Sequence, residues 1–412
     1  MKTSFKISLI ASSIAVMLSA CSSTDLNKTE KQTAAVDTVW PTDTVAFCDA
    51  ALDKAATQYG YFSTDYPDPT NIPRSYTNGS TRMAGKLDWT SGFVAGSYWY
   101  LYEHTQSDQW LNLASKWTKA LEDQQFNRRT HDIGFIMNNS FGNGLRLTGD
   151  QSYSPVILNS AKTLMERYNP DLGLTYSWSW GAWEFPVIID NMMNLELLFE
   201  AAKASGDKRF YDAAVSHATV TMKHHYREDY SSYHLVNYNR TTGIPNWKQT
   251  FQGIADDSSW ARGQAWGAYG YTMVYRYTQD EKFLNQAKNI VNYLLTHKNM
   301  PDDLVPYFDY NAPEYPEVDN VRDSSAASLL ASSLLELATY VGDQEAQRYI
   351  DAATTMLRSL STPSYLATKG ENGNFLLKQA TGHYPAGDEV NGALNYGDYY
   401  YLEALNRCKA TL

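Results

Sequence analysis

Positive charge is the first thing this chain is short of. Its 34 Lys and Arg stand against 45 Asp and Glu, for a formal net charge of −11. They gather into no basic patch or arm, so nothing is available to neutralise a run of phosphates, and nucleic acid is excluded as a partner. Long apolar runs are equally scarce: beyond the first 20 residues no stretch is apolar for long enough to span a bilayer. Cysteine is limited to 3 residues with no thiolate ligand spacing. His217, His224 and His225 fall on one helix of the outward-facing kind, without thiolates or carboxylates at metal-binding intervals. Neither a metal nor any other cofactor is therefore expected.

What is present begins with a secretion signal. Lys2 and Lys6 precede the apolar run "ISLIASSIAVM", which stops at "LSAC". That ending resembles a bacterial lipobox and marks Cys21 as the lipidated first residue of the mature chain. Ser22 after it resembles the outer-membrane sorting pattern. Residues 21–39 are small, polar and free of aromatics, the composition of a flexible tether. The expected organisation is a signal peptide over 1–20, a tether over 21–39 and a single folded domain over 40–412. The domain is then expected to be anchored outside the inner membrane, on the outer membrane and facing the periplasm or the surface, through its lipid alone. The 31 Tyr and 11 Trp suit a surface on which flat apolar faces such as sugar rings stack, although aromatic residues are also ordinary core material.

One pattern recurs along the folded part. An apolar helical run closes in a short turn ending in Asp (Asp108, Asp150, Asp207, Asp280, Asp343), and a run with one polar face follows. This is an irregular repeat of helical hairpins in which each Asp is expected to cap the second helix. Runs apolar all round belong inside, and those with a polar face line the outside. An unpaired outer-type helix comes first and an unpaired inner-type helix last, giving six of each: an all-α fold, an (α/α)6 barrel. A solenoid is the alternative, but the two half-hairpins complete each other only in a closed ring. In that ring Cys48, near the start of the first outer helix, and Cys408, at the end of the last inner helix, share the one hairpin junction that lacks a chain connection. A Cys48–Cys408 disulfide would staple it shut; two separate buried thiols are the alternative.

The long connections, roughly 61–88, 169–187, 226–257, 298–321 and 361–393, all run from an outer to an inner helix and therefore share one rim, the place for binding and catalysis. Asp88 in "LDWTSGF", Asp132 in "HDIGF" and Asp190 in "IIDNMMN" each open an inner helix on that rim. All three fit as N-caps. Equally, inner-helix N-termini converge on the barrel axis and favour an anionic ligand there, and two carboxylates facing one pocket among aromatics suit acid–base chemistry on sugars.

"HDIGF", "FPVIIDNMMNLELLFEA", "QGIADDSSWARGQAWGAYGY" and "DSSAASLLASSLLELA" resemble the unsaturated glucuronyl hydrolases of glycoside hydrolase family 88, from about Pro73 to Leu405. The resemblance implies an (α/α)6 barrel, in agreement with the helix count. It implies that Asp190 is the general acid/base and Asp132 the second essential carboxylate. His234 and Gln252 would lie near the uronate and the attacking water, Arg262 and Trp266 would contact substrate, and Trp89 and Trp178 would be stacking walls. Asp88 receives no catalytic role from it and keeps the capping reading.

The implied substrate is an oligosaccharide released by a polysaccharide lyase, with a C4=C5 double bond in its terminal uronic acid. Such an enol ether is cleaved by hydration, without displacement at the anomeric carbon. An acid that donates first must hold its proton near neutral pH, which a like charge nearby promotes. The loop Lys378–Gly392 is placed to touch the sugar beyond the uronate. It holds no dense Lys/Arg cluster, which leaves a preference for sulfated chains open. Rival readings are the family 105 activity on unsaturated galacturonyl-rhamnose, an inverting glycosidase on the same barrel, and a sugar-capturing lipoprotein without turnover.

Overall fold

Helices form where the sequence shows apolar periodicity, and the width of each apolar face sets its depth. In α9 (Ala261–Thr278) every residue from Ala261 to Tyr275 is buried. In α10 (Glu281–Thr296) only a stripe is, running through Phe283, Ala287, Ile290, Val291 and Leu294. The first belongs inside and the second outside.

The computed structural model describes residues 40–412; the signal peptide, Cys21 and the tether lie outside the described residues. Outer helices are α1 (Thr44–Asp65), α3 (Asp108–Ala120), α6 (Ser154–Met165), α8 (Lys208–His224), α10 and α12 (Asp343–Leu360). Inner helices are α2 (Ser91–Thr105), α4 (Ile133–Met137) running through a π-helical turn into α5 (Asn143–Thr148), α7 (Leu195–Ser205), α9, α11 (Ser324–Ala338) and α13 (Asn395–Thr411). The inner elements pack in chain order, and α13 returns to pack on α2. The unpaired α1 packs on α13, so the two half-hairpins complete the sixth pair and the ring is closed: an (α/α)6 barrel. No helix among the described residues is long and apolar enough to cross a membrane.

The tight turns depart from expectation in one detail. Asp207 and Asp280 do cap α8 and α10, accepting from Arg209 and Lys282 N–H, whereas Asp150 accepts from Ser152 N–H and caps the 3-10 turn Gln151–Tyr153 that leads into α6. Asp108 and Asp343 do not cap. Ser107 caps α3 and Gly342 precedes α12, so both aspartates sit one residue inside their helices, where a negative charge still favours the positive helix end.

The long connections carry short strands that the helical pattern did not announce. β1 (Ile72–Thr77) and β2 (Ser80–Ala84) form a hairpin, β3 (Tyr168–Asn169) pairs with β4 (Leu174–Thr175), and β5 (Pro186–Ile188), β6 (Leu235–Tyr238) and β7 (Pro245–Gln249) make an antiparallel sheet. β8 (Ala393–Leu394) joins β1. These strands tie loops far apart in sequence into one ordered rim.

At the other rim Cys48 and Cys408 are disulfide-bonded, with a Cα separation of 6.3 Å, linking α1 to α13 at the one hairpin junction that has no peptide connection. A chain lacking Cys21, denatured without reductant, is expected to expose no reactive thiol. Replacing both cysteines by Ala is expected to lower the unfolding free energy in urea by about 2–4 kcal/mol; two titratable thiols in the unaltered pair would contradict the bond.

Candidate active site

The shared rim brings two of the three aspartates into one place and leaves the third as scaffold. Asp88 is structural: its Oδ1 accepts from Thr90 N–H and Oγ–H at 2.9 and 2.8 Å, and its Oδ2 takes Arg74 Nη1 at 2.7 Å. Asp132 stands at the N-cap position of α4 yet makes no capping bond. Thr130 Oγ donates to its Oδ2 at 2.7 Å, and His131 Nε2 lies 3.2 Å from its Oδ1. Asp190 lies inside the 3-10 turn Ile189–Asn194 that precedes α7. Its Oδ2 is buried without a hydrogen-bond partner in the chain.

What lets the two carboxylates approach is a glycine. A Cβ on Gly134, two residues after Asp132, would stand 2.6 Å from Asn194 Cα, so only Gly permits this backbone contact. Asn194 then ties the two segments together, accepting from Phe135 N–H at 2.9 Å and donating to the Asp190 carbonyl at 3.4 Å. Burial is the main cause that lifts the Asp190 pKa to about 7, and the charge of Asp132 lifts it further. Arg262 and the Trp266 indole N–H offset part of the rise.

His234 has its tautomer set by the backbone. Phe251 and Gln252 N–H both donate to Nδ1, at 3.0 and 3.3 Å, so Nδ1 is the bare nitrogen and Nε2 carries the hydrogen. Nε2 points at Asp190 Oδ2 from 3.7 Å. Burial, with Arg262 nearby, holds the imidazole pKa well below its ordinary value, which keeps His234 a neutral donor. Trp260 packs against the ring at 4.5 Å.

Arg262 and Trp266, read as substrate contacts, are both buried. Arg262 donates to Asp323 at 2.8 Å and to the Thr381 and Gly382 carbonyls at 2.6 Å each, so its guanidinium brackets the 378–392 loop. Gln252 Nε2 donates to the same Gly382 carbonyl at 2.9 Å, and His383 Nε2 donates to the Phe251 carbonyl. That loop is thereby held beside the carboxylates. Trp89 is half-buried against Tyr396 and Phe135, and Trp178 belongs to a cluster with Trp180, Trp183 and Phe251. The sequence reading passed over Asp323, although "RDSSAAS" places it at the start of an inner helix like the others. It also passed over Trp260 and Asn194, which lie inside the quoted motifs.

His217 accepts from Thr175 N–H in β4 and His225 donates to the Val187 carbonyl in β5, so these two side chains hold short strands of the rim against α8. A cavity of about 820 Å³ opens at the opposite, tight-turn end. Charges that line it are paired with one another, as in Arg146–Glu103 and Arg276–Glu196. The perturbed carboxyl of Asp190 lies instead at the long-loop rim.

A protonatable buried acid beside a second carboxylate, walled by tryptophan on an (α/α)6 barrel, defines a glycoside hydrolase. The profile of Glycosyl Hydrolase Family 88 matches residues 63–410, and the chain belongs to that family. It is 46% identical over 349 residues to an unsaturated glucuronyl hydrolase of Formosa agariphila, covering 83% of this chain and 86% of that protein. It is 34% identical over 371 residues to an unsaturated chondroitin disaccharide hydrolase of Streptococcus pneumoniae, covering 87% and 90%. The crystal structure of an unsaturated glucuronyl hydrolase specific for heparin matches with a TM-score of 0.85 at 42% identity, over 88% of this chain and 97% of the other.

Turnover that needs protonated Asp190 is expected to fall as the pH rises through about 7. Asp132→Asn removes the like charge, so Asp190 gives up its proton more readily and the fall moves to lower pH. Profiles of kcat/KM against pH for the two chains check the direction.

Proposed function

We propose that this chain is an exo-acting hydrolase that removes the 4,5-unsaturated uronic acid from the non-reducing end of lyase-generated oligosaccharides by hydrating the C4=C5 enol ether. The observation that carries this reading is the state of Asp190: a buried carboxyl that holds its proton near neutral pH, with a neutral N–H donor fixed behind it. The names of the family relatives agree with it.

In the first step the Asp190 proton goes to C4, and the electron pair of the double bond forms the new C4–H bond. The cation left at C5 is shared with the ring oxygen. Water attacks C5 and returns one proton to the same carboxylate. His234 Nε2–H steadies the ionised carboxylate between the two transfers. Gln252, tied to the loop through Nε2, turns its Oε1 to orient the water. The hemiketal at C5 then opens, and the exposed anomeric hemiacetal releases the remaining sugar without further catalysis. Asp132 raises the Asp190 pKa and faces the sugar hydroxyls, while Trp89 and Trp178 wall the pocket.

The lipobox motif at Cys21 supports a lipid-anchored enzyme outside the inner membrane, on the outer membrane, where lyase products are met. Its partners are then these oligosaccharides, with the membrane reached only through the anchor. Cys21→Ser is expected to shift the protein from the membrane to the soluble fraction; unchanged membrane retention would refute the anchor.

Asp190→Asn is expected to lower turnover by about 10² to 10⁴-fold, followed as loss of the conjugated double bond's ultraviolet absorbance, with substrate binding retained. In heavy-oxygen water the label is expected at C5 of the released uronate. Label only at the anomeric carbon would mean direct glycosidic displacement and sink the hydration route.

A further inference from the structure

The rim tryptophans extend beyond the reacting bond, and the hydration steps use none of the outer ones. Trp178 and Trp180 are stacked, with centroids 4.9 Å apart and planes 14° from parallel. Trp183 meets both edge-on, and Phe251 touches all three. The cluster is continuous with the pocket on two sides. Trp178 follows Ser177, whose carbonyl accepts from His131 Nδ1 beside Asp132. Phe251 donates its N–H to His234.

The tip of this loop is a built structure. Gly181 has φ +79, and a Cβ there would lie 2.3 Å from the Trp183 ring, so the backbone folds tightly under that indole. Trp183 Nε1 is fixed by Gln249 Oε1 at 2.9 Å. On this ordered tip Trp180 remains 54% exposed. One face rests on Trp178 and the other is open. A large indole held flat toward water contributes little burial where it stands, and such exposed apolar surface beside a pocket marks a binding site.

We propose that the open face of Trp180 is a stacking subsite for the third sugar of the substrate, two glycosidic links beyond the uronate that is removed, so that the chain favours trisaccharides and longer products over disaccharides. The inference rests on the hydrolase reading above. Trp178 is joined to the Asp132 side of the pocket through Ser177 and His131, and Trp180, stacked on it, stands one ring further toward solvent. The negative face of an indole attracts the weakly positive axial C–H groups of a pyranose. This contact needs no charge and leaves ring substituents pointing sideways into water, so it reads chain length rather than sulfation.

The test compares KM for an unsaturated disaccharide and an unsaturated trisaccharide of the same polymer, with the unaltered chain, Trp180→Ala and Trp180→Phe. Trp180→Ala is expected to raise the trisaccharide KM relative to the disaccharide KM by about three- to tenfold, with kcat for the trisaccharide held. Trp180→Phe, which keeps a ring, is expected to recover most of the difference. An equal rise at both lengths would make Trp180 a brace for Trp178 and overturn the subsite, as would no change at either length. An unaltered chain inactive on both substrates would instead refute the hydrolase reading, and the subsite with it.

Discussion

The contact between Gly134 and Asn194 is the constraint on which the site depends. Two helix starts cannot bring their carboxylates into one pocket while a side chain stands between them, and at this contact there is room for a hydrogen atom and nothing larger. Asn194 bonds to both segments, so the distance between the two acids is set by backbone packing rather than by flexible side chains. The two effects that raise the Asp190 pKa, burial and the neighbouring charge, both follow from that approach. A carboxyl poised near neutrality is in this sense a property of helix packing.

The closed ring supplies the rigidity that such spacing requires. Inner helices such as α9 and α11, buried almost throughout, leave little slack for one helix start to move independently of its neighbours. The outer helices, the return of α13 to α2 and α1 and the Cys48–Cys408 bond keep the cylinder from opening. At the long-loop rim the short sheets and the Arg262 bracket continue that order into the loops. Arg262 joins α9, Asp323 at the start of α11 and two carbonyls of the 378–392 loop. Gln252 adds a second tie to the same loop. The groups around Asp190 are therefore held before any sugar arrives, which is the condition for a proton transfer with little reorganisation.

Different parts of this arrangement were legible to different degrees. Helix faces and their order came through clearly, because burial all round and burial on one stripe leave distinct periodic patterns over 15 or so residues. Capping was read correctly at Asp207 and Asp280, one short turn early at Asp150, and one residue off at Asp108 and Asp343, since Ser107 and Gly342 compete for the same position. The rim strands were invisible. They are two to six residues long, and β1 finds β8 more than 300 positions away, so no local period reports them. Arg262 was placed by its motif near the substrate, and the structure adds three bonds that tie it to Asp323 and the loop.

The sequence alone determined the barrel class, the rim that carries the chemistry and the residue types that face it, because each is written in local periodicity, loop length or motif. By position it offered three aspartates that all look like helix caps, and the motif resemblance alone set Asp190 and Asp132 apart from Asp88. The tertiary structure shows how their surroundings differ. Asp88 satisfies its oxygens on Thr90 and Arg74. Asp132 leaves its helix uncapped, and Asp190 keeps a buried oxygen that no group in the chain bonds. Whether a carboxylate caps a helix or holds a proton depends on which donors surround it in space, and those donors come from segments that no local pattern connects.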